Sequence, residues 1–494
     1  MPRFLPHQLF FGVIVVLWLV QAMTLGMSDD EAYYWVLSQK PAWGYAYHPP
    51  MVAWIMGISD GLTSWFSFLP REGRVRLGGL ALSSGFFWLA IQWARAILKE
   101  EQGREIELRD LVFFLLPGLT GAGWMMVPDL PLFLAWSLCW WGSWNPQGPR
   151  ASLLLFLGAL IGMLSKFSAL LFIFSASLTL LTRAPRDLRL RLLCWLGLGS
   201  VVASLPTLYW NSQNDWVALR YQFLERHQGG GAADWTRYLR FWVSQMILAG
   251  PALVSLIFYP RLWKEALHHS RTQALLIWIL PAAGVFWLQP LFSDFKAHWA
   301  LVVWWPLAFW AVTLKSRPKW LSPFQGIFSG GIILLFTLFT QWPFQSQLTQ
   351  WWTGKTPDPR WDVTNDLYGW RELPQFLREK LETDAFQFPV LGSRYQTAAQ
   401  AAFALAGSSV ATLIARKPGE TQEWPSLPEH IDDIRGSGWP LLKKPVLFVA
   451  DQRYSQEPAF EQSTCLEIGS LETRRGAYLA KRIRVWKCSP DRSF

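Results

Sequence analysis

The sequence predicts a multi-pass α-helical membrane protein of about 11 transmembrane helices, followed by a C-terminal α/β domain outside the membrane. Three observations predict it. Hydrophobic residues make up 51% of the 494 and charged residues only 16%, against a usual charged share of roughly 25%. The 33 Trp and 33 Phe are the excess expected of a chain that meets the membrane interface many times. Apolar runs long enough to span recur up to about residue 342, after which Pro and charged residues return. These features exclude a disordered chain, a collagen-like chain and an ordinary soluble enzyme. Four Cys in such a length exclude a disulfide scaffold.

The run from Phe10 to Gly26 is longer than a signal-peptide core and ends without a small-x-small cleavage site, so it reads as an uncleaved first helix. Further spans are expected near 76–98, 110–126, 129–144, 151–165, 167–182, 192–210, 240–259, 273–291, 299–314 and 322–342. With the N-terminus in the cytoplasm, the inside loops carry Lys99, Arg104, Arg109, Arg150, Arg183, Arg186, Arg189, Arg191, Arg261, Lys264, Arg271, Lys315, Arg317 and Lys319. The short outside turns carry only Lys166 and Lys296. This bias accounts for much of the net charge of +10, and nucleic acid is not needed to explain it. Met51 to Leu69 is apolar but holds Asp60, Gly57 and Gly61. Were it to span, every later basic loop would change sides, so it reads as a helix lying on the membrane surface.

Two long outside loops are expected, at 27–75 and 211–239. The first opens on Ser28-Asp29-Asp30-Glu31, a Ser cap followed by acids. The second includes Gln228-Gly229-Gly230-Gly231, either a hinge or a mobile lid. Residues 1–342 thus form the membrane module and 343–494 a soluble domain. In the latter, a loop and amphipathic helix are expected over Trp361–Glu382, strands at Phe386–Leu391 and Pro445–Ala450, and an Ala-rich helix at Tyr395–Leu405. An oxidising compartment would permit a Cys465–Cys488 bridge, with two free thiols as the alternative. Cys139 and Cys194 lie in apolar spans and read as core residues.

Charge at the edge of a span is expensive and therefore a candidate for function. Asp129 is the sole acid between residues 111 and 186, and Lys166 the sole Lys or Arg between 151 and 182. Lys296 and His298 fall at another outside end, and Asp29, Asp30, Glu31 and His48 lie in the first outside loop. All of them fall on one membrane face. Carboxylates there can deprotonate an attacking hydroxyl, and cations can stabilise a phosphate as it leaves. There is no nucleotide-binding loop, so an enzyme at this face needs an activated donor already in the membrane. A polyprenyl-phosphate sugar meets that need.

The runs Asp30-Glu31-Ala32-Tyr33-Tyr34-Trp35, Trp43-Gly44-Tyr45 and His48-Pro49-Pro50-Met51-Val52-Ala53-Trp54 resemble the first outer loop of a bacterial branch of the GT-C glycosyltransferases. That branch includes the aminoarabinose transferases that modify lipid A and is related to the dolichyl-phosphate-mannose protein mannosyltransferases. Pro128-Asp129, Ser165-Lys166-Phe167, Trp210-Asn211 with Asp215-Trp216, and Lys296-Ala297-His298-Trp299 resemble later motifs in the same order. The likeness covers about 1–340, with weaker echoes at Arg394-Tyr395-Gln396. Two positions depart from it: Tyr47 stands where many relatives have Asp, and His48 where the lipid A branch has Lys.

The resemblance implies a GT-C fold in the bacterial inner membrane, with the site and the C-terminal domain on the periplasmic face. It implies a catalytic acid at Asp30 beside Glu31, with Asp129 helping to form the site. Lys166 and Lys296 become the candidates for the donor phosphate, and His48, His298, Asn211 and Tyr395 further candidates for substrate binding. The partners implied are a polyprenyl-phosphate sugar, a glycolipid or glycan acceptor, and the bilayer. A divalent cation is an open alternative, and Asp29, Asp30 and Asp129 are the acids that would hold one. A lipid-linked sugar transporter or flippase is the competing reading; it would spread polar groups across the membrane, often with inverted repeats. A structural membrane protein leaves the acids and cations at span ends unexplained.

Overall fold

The computed structural model describes residues 5–225, 231–260, 263, 270–314, 317–381, 388, 390–405, 412–414, 431–433, 445–454, 457–458, 460 and 462–491. Gln228 to Gly230, the cations Arg261, Lys264 and Lys315, and the start of the expected strand at Phe386 lie outside them. The chain divides into two compact units, one of residues 1–21, 42–52 and 76–336, the other of 22–41, 53–75 and 337–494.

The helices are α1 (Pro6–Thr24), α2 (Asp29–Ser38), α3 (Met51–Thr63), α4 (Arg71–Gln102), α5 (Asp129–Trp144), α6 (Gly148–Ser165), α7 (Ala169–Arg183), α8 (Arg186–Ser212), α9 (Trp235–Ala249), α10 (Ser270–Phe286), α11 (Leu301–Thr313) and α12 (Leu321–Gln341). Among the described residues, five helical stretches are long and apolar enough to cross a membrane: α1, α4, α8, Ala274–Phe292 and α12. Shorter apolar helices, including α3, α6 and α7, accompany them.

In the first unit, bare helix faces let backbones approach closely, as membrane helices commonly do. A Cβ added at Gly158 would lie 2.5 Å from the Cys139 sulfur, which seats α6 on α5. One added at Gly199 would strike the Phe156 carbonyl, which seats α8 on α6.

The expected span at 110–126 is not a continuous helix. It is a helical turn at Leu108–Leu111, a 3-10 turn at Val112–Phe114, a second helical turn at Pro117–Thr120, and irregular chain up to α5. Pro117 with Gly118, Gly121 and Gly123 disfavours a regular helix. Irregular backbone at membrane depth is tolerated where protein groups satisfy it. Here the Trp18 indole donates to the Thr120 carbonyl at 2.6 Å, Ser83 to that of Gly123 at 2.7 Å and Gln325 to that of Leu115 at 3.3 Å. Gly123 is needed because a Cβ there would lie 2.5 Å from the Trp18 ring.

Part of the Trp excess lies inside the protein, while other Trp residues, such as Trp65 and Trp352, are exposed. Trp18, Trp124, Trp136, Trp278, Trp304, Trp305 and Trp310 are fully enclosed, not placed at an interface. Three of their N–H groups find side-chain acceptors: Trp304 on Gln245 at 2.8 Å, Trp305 on Ser137 at 3.0 Å and Trp278 on Thr179 at 3.0 Å. Buried indole N–H groups usually find such a partner, but those of Trp124, Trp136 and Trp310 have no hydrogen-bond partner among the described residues.

The second unit holds α2, most of α3, and the C-terminal residues. There α13 (Phe344–Thr353), α14 (Leu373–Leu381) and α15 (Tyr395–Ala404) join a six-stranded sheet. Its strands are β1 (Val390–Gly392), β2 (Thr412–Ile414), β3 (Ile431–Asp433), β4 (Val446–Asp451), β5 (Ser463–Arg475) and β6 (Tyr478–Pro490), in the order β3-β2-β1-β4-β6-β5. The first four pair in parallel, and β6 runs antiparallel to β4 and β5. Alternation along β4 sends Leu447 and Val449 into a core with Leu373, Leu377, Ile483 and Val485. It sends Val446, Phe448 and Ala450 into another with Leu391 and Trp486.

The expected helices at α14 and α15 and the strand at β4 are present; the long β5–β6 hairpin was not anticipated. It turns on Gly476-Ala477, with Gly476 at φ +59°, the left-handed region a first turn position of this kind gives to Gly. Cys465 and Cys488 face each other across it and form a disulfide. At a sequence separation of 23, chain-entropy reasoning gives the bridge about 3 kcal/mol. Replacing both with Ser should lower the unfolding midpoint of the full chain in detergent, and an unchanged midpoint would exclude that contribution.

Candidate catalytic and donor-binding site

In the first unit, Asp129 opens α5 behind Pro128, where a carboxylate is favoured by the helix dipole. Lys166 caps the C-terminus of α6 in an extended conformation, where a cation is favoured. The packing of α6 on α5 joins these two ends, and Lys166 Nζ lies 2.8 Å from Asp129 Oδ1. The pair is mostly buried, at 13% and 15% side-chain exposure. His298 and His48 are further electrostatic neighbours of Asp129. The Trp299 ring centroid is 5.9 Å from Lys166 Nζ. Thus four residues singled out by sequence, Asp129, Lys166, His48 and His298, form one cluster. Lys296 is exposed, two residues before His298, at the N-cap of the 3-10 turn Ala297–Ala300. Gln245 anchors that turn by donating to the Ala297 carbonyl at 3.1 Å.

Removing one partner of a buried ion pair costs roughly 3–5 kcal/mol, because the other charge is left uncompensated. Lys166→Gln should therefore destabilise the protein. The double variant with Asp129→Asn should recover part of the loss in a thermal-unfolding cycle, and strict additivity would mean the pair does not interact.

Asn211 has a different task. It is fully buried, its amide donates to Thr207 O at 2.8 Å, and its Oδ1 accepts from the backbone N–H of Ala218 and Leu219 at 3.2 Å each. It ties the end of α8 to the following turn, in which Asp215 and Trp216 take left-handed backbone at φ 50° and 57°. Trp210 packs with Ala46 and Ala218, and Gly44 lies close against its ring. The Trp210-Asn211 motif thereby fixes the stretch that leads to His48.

In the second unit, Ser28 caps α2. Its hydroxyl accepts from Glu31 N at 3.3 Å, and the Glu31 carboxylate receives Ser28 N and Oγ at 3.1 Å. Glu31 is wholly buried in this capping box, while Asp30 beside it is exposed. Asp29 accepts from Gln400 at 3.0 Å and pairs with Arg453 at 2.9 Å. Tyr395 meets Tyr33 of α2 edge-on, with centroids 5.8 Å apart.

Arg453 was not singled out from sequence. It bridges three carboxylates, Asp29, Asp366 at 2.6 Å and Asp451 at 2.7 Å, and the buried Lys481 lies 3.7 Å from Asp366. Burial lowers the Lys481 ammonium and raises the Asp366 carboxyl. Burial also pushes Asp451 upward, but Lys481 and Arg453 outweigh it and hold that carboxyl below its usual range. An acid and a cation around the C-terminal end of β4 were the available signal. In a domain rich in charge, neither stands out.

Among the described residues, no three His, Cys, Asp or Glu side chains gather in a way that would hold a metal ion. Asp129 is engaged by Lys166 and Asp29 by Arg453.

No protein-family model matches the chain. The lipid A galacturonosyltransferase RgtD of Rhizobium johnstonii is 26% identical over 353 residues, which are 68% of this chain and 72% of that protein. ArnT from Cupriavidus metallidurans, solved in the apo state and bound to undecaprenyl phosphate, superposes with a TM-score of 0.59 over 97% of both chains, at 13% and 12% identity. At that identity the structural likeness is one of fold. The chain thus shares the fold of ArnT and is similar in sequence, over two thirds of its length, to a lipid A galacturonosyltransferase.

Proposed function

We propose that this protein transfers a sugar from a polyprenyl-phosphate donor to a hydroxyl of a glycolipid acceptor, lipid A or a related envelope lipid, at the periplasmic face of the inner membrane. The observation that carries the reading is the Asp129–Lys166 pair with His48 and His298 beside it. A mostly buried acid and cation at helix ends, surrounded by titratable groups, suits a lipid phosphate whose tail lies in the bilayer.

The reaction balances as an inverting displacement. Asp30 takes the proton of the acceptor hydroxyl, the oxygen attacks the anomeric carbon, and the bond from that carbon to the phosphate oxygen breaks. Polyprenyl phosphate departs with its charge stabilised by Lys166 and Lys296. Asp30 fits the role of base because it is exposed, whereas Glu31 is buried in the cap. The relative is named as a galacturonosyltransferase, so a polyprenyl-phosphate uronic acid is the first donor to try.

Mass spectrometry of outer-membrane glycolipids, from cells with and without the gene, tests this reading. The expected result is loss of one sugar mass from lipid A or its core. Unchanged lipids would reject the glycolipid acceptor.

A further inference from the structure

The second unit contains a cavity of about 630 Å3 between the end of α2, α3 and the start of α4, lined by Ser38, Gln39, Trp54, Asp60, Gly61 and Arg74 among others. Its polar groups are held in place. Asp60 accepts from the Trp35 indole at 3.3 Å and lies 3.8 Å from Arg74, a loose pair. Arg74 donates to the Ser64 carbonyl at 3.2 Å, but its Nε is buried without a hydrogen-bond partner. Gly57 brings α3 against the chain at Ser38, where a Cβ would lie 3.3 Å from the carbonyl; at Gly61 a Cβ would meet open space.

One acid and one guanidinium leave the cavity nearly neutral, which disfavours a bare phosphate. The same pair, with a serine, an amide and the Trp54 indole, offers acceptors, donors and an apolar face, the mixture that hydroxylated rings require. Beside the cavity, α3 and the turn after it expose Ile58, Leu62, Trp65, Phe66 and Phe68, with Trp65 at 88% and Phe68 at 79%. Such a row suits a helix lying in the membrane interface. A molecule that fills both surfaces has a sugar head and a lipid tail.

We propose that this cavity binds a sugar ring of the glycolipid acceptor, with its acyl chains along the exposed row of α3. The proposal rests on the acceptor class given above. The cavity touches α2 at Ser38 and Gln39, and Asp30 is on the first turn of the same helix. At 1.5 Å per residue, nine residues separate them by about 13 Å. The cavity therefore holds a part of the acceptor remote from the reacting hydroxyl. Contacts of that kind, made equally in the ground and transition states, set KM and not kcat.

The test uses the full chain in detergent, with lipid A as probe and phosphatidylglycerol as the sugar-free comparison. Gly61→Phe fills the cavity from a position with open space. It should weaken lipid A binding, read by native mass spectrometry, about tenfold, and raise the acceptor KM by a similar factor, with kcat and the donor KM unchanged. Asp60→Asn should act in the same direction; if it fails to fold, Gly61→Phe still decides. Lipid A bound no better than phosphatidylglycerol, or equally well by Gly61→Phe and the wild type, would overturn the proposal. If the wild type binds lipid A, loses it on Gly61→Phe and yet transfers no sugar to it, the cavity stands and the proposed reaction fails.

Discussion

Asp30→Asn should abolish sugar transfer, by about 10²–10⁴-fold, the usual contribution of a general base, while leaving the amount of folded protein unchanged. Asn keeps the shape and the place in the first turn of α2 but cannot accept the hydroxyl proton. Because Asp30 is exposed, the exchange opens no cavity. Glu31→Gln makes the informative contrast. Glu31 is buried and receives both the backbone and the hydroxyl of Ser28, so its exchange should act first on folding, by about 1 kcal/mol for the cap. Transfer assayed in membranes, with folded protein quantified by fluorescence-detected gel filtration, separates the two. Normal turnover by Asp30→Asn would remove the base from the mechanism, and a folding defect confined to that variant would reverse the two roles.

Arg453→Ala should be the most damaging change in the second unit. It leaves Asp29, Asp366 and Asp451 close together, with Lys481 as their remaining cation in that cluster. An uncompensated buried charge costs roughly 3–5 kcal/mol, and here the carboxylates also repel one another. Arg453→Lys should restore little, because a single ammonium lacks the planar fork that reaches several carboxylates at once. The loss should appear in thermal unfolding. It should also appear in kcat beyond what the unfolded fraction explains, since Asp29 precedes Asp30 and Arg453 holds it. A variant as stable as the wild type would mean the network contributes nothing.

What the sequence reveals and what it hides follow from the same physics. Asp129 and Lys166 are legible because charge is rare in their apolar surroundings, and their ion pair follows from the way α6 packs on α5. Ser28 to Glu31 is legible because a cap is a local pattern. The segment before Asp129 is not, because hydropathy reports how apolar a stretch is and says nothing of whether its carbonyls are served from elsewhere. Nor does composition separate an interfacial Trp from an enclosed one such as Trp305, whose partner Ser137 lies on another helix. The β5–β6 hairpin escaped for another reason. Much of β5 alternates exposed and half-buried positions, so its apolar signal is weak, and its order comes from pairing with β6.

Gln325 carries a consequence for biogenesis. Its buried amide donates to the carbonyls of Leu115 and Ala249 and accepts from the Leu253 N–H, so one side chain late in the chain completes two breaks made much earlier. During synthesis those breaks emerge from the ribosome well before α12 does. Insertion of the membrane part therefore cannot be finished one segment at a time. The early segments must wait, within reach of water or a chaperoning surface, until the last of these helices arrives to close them.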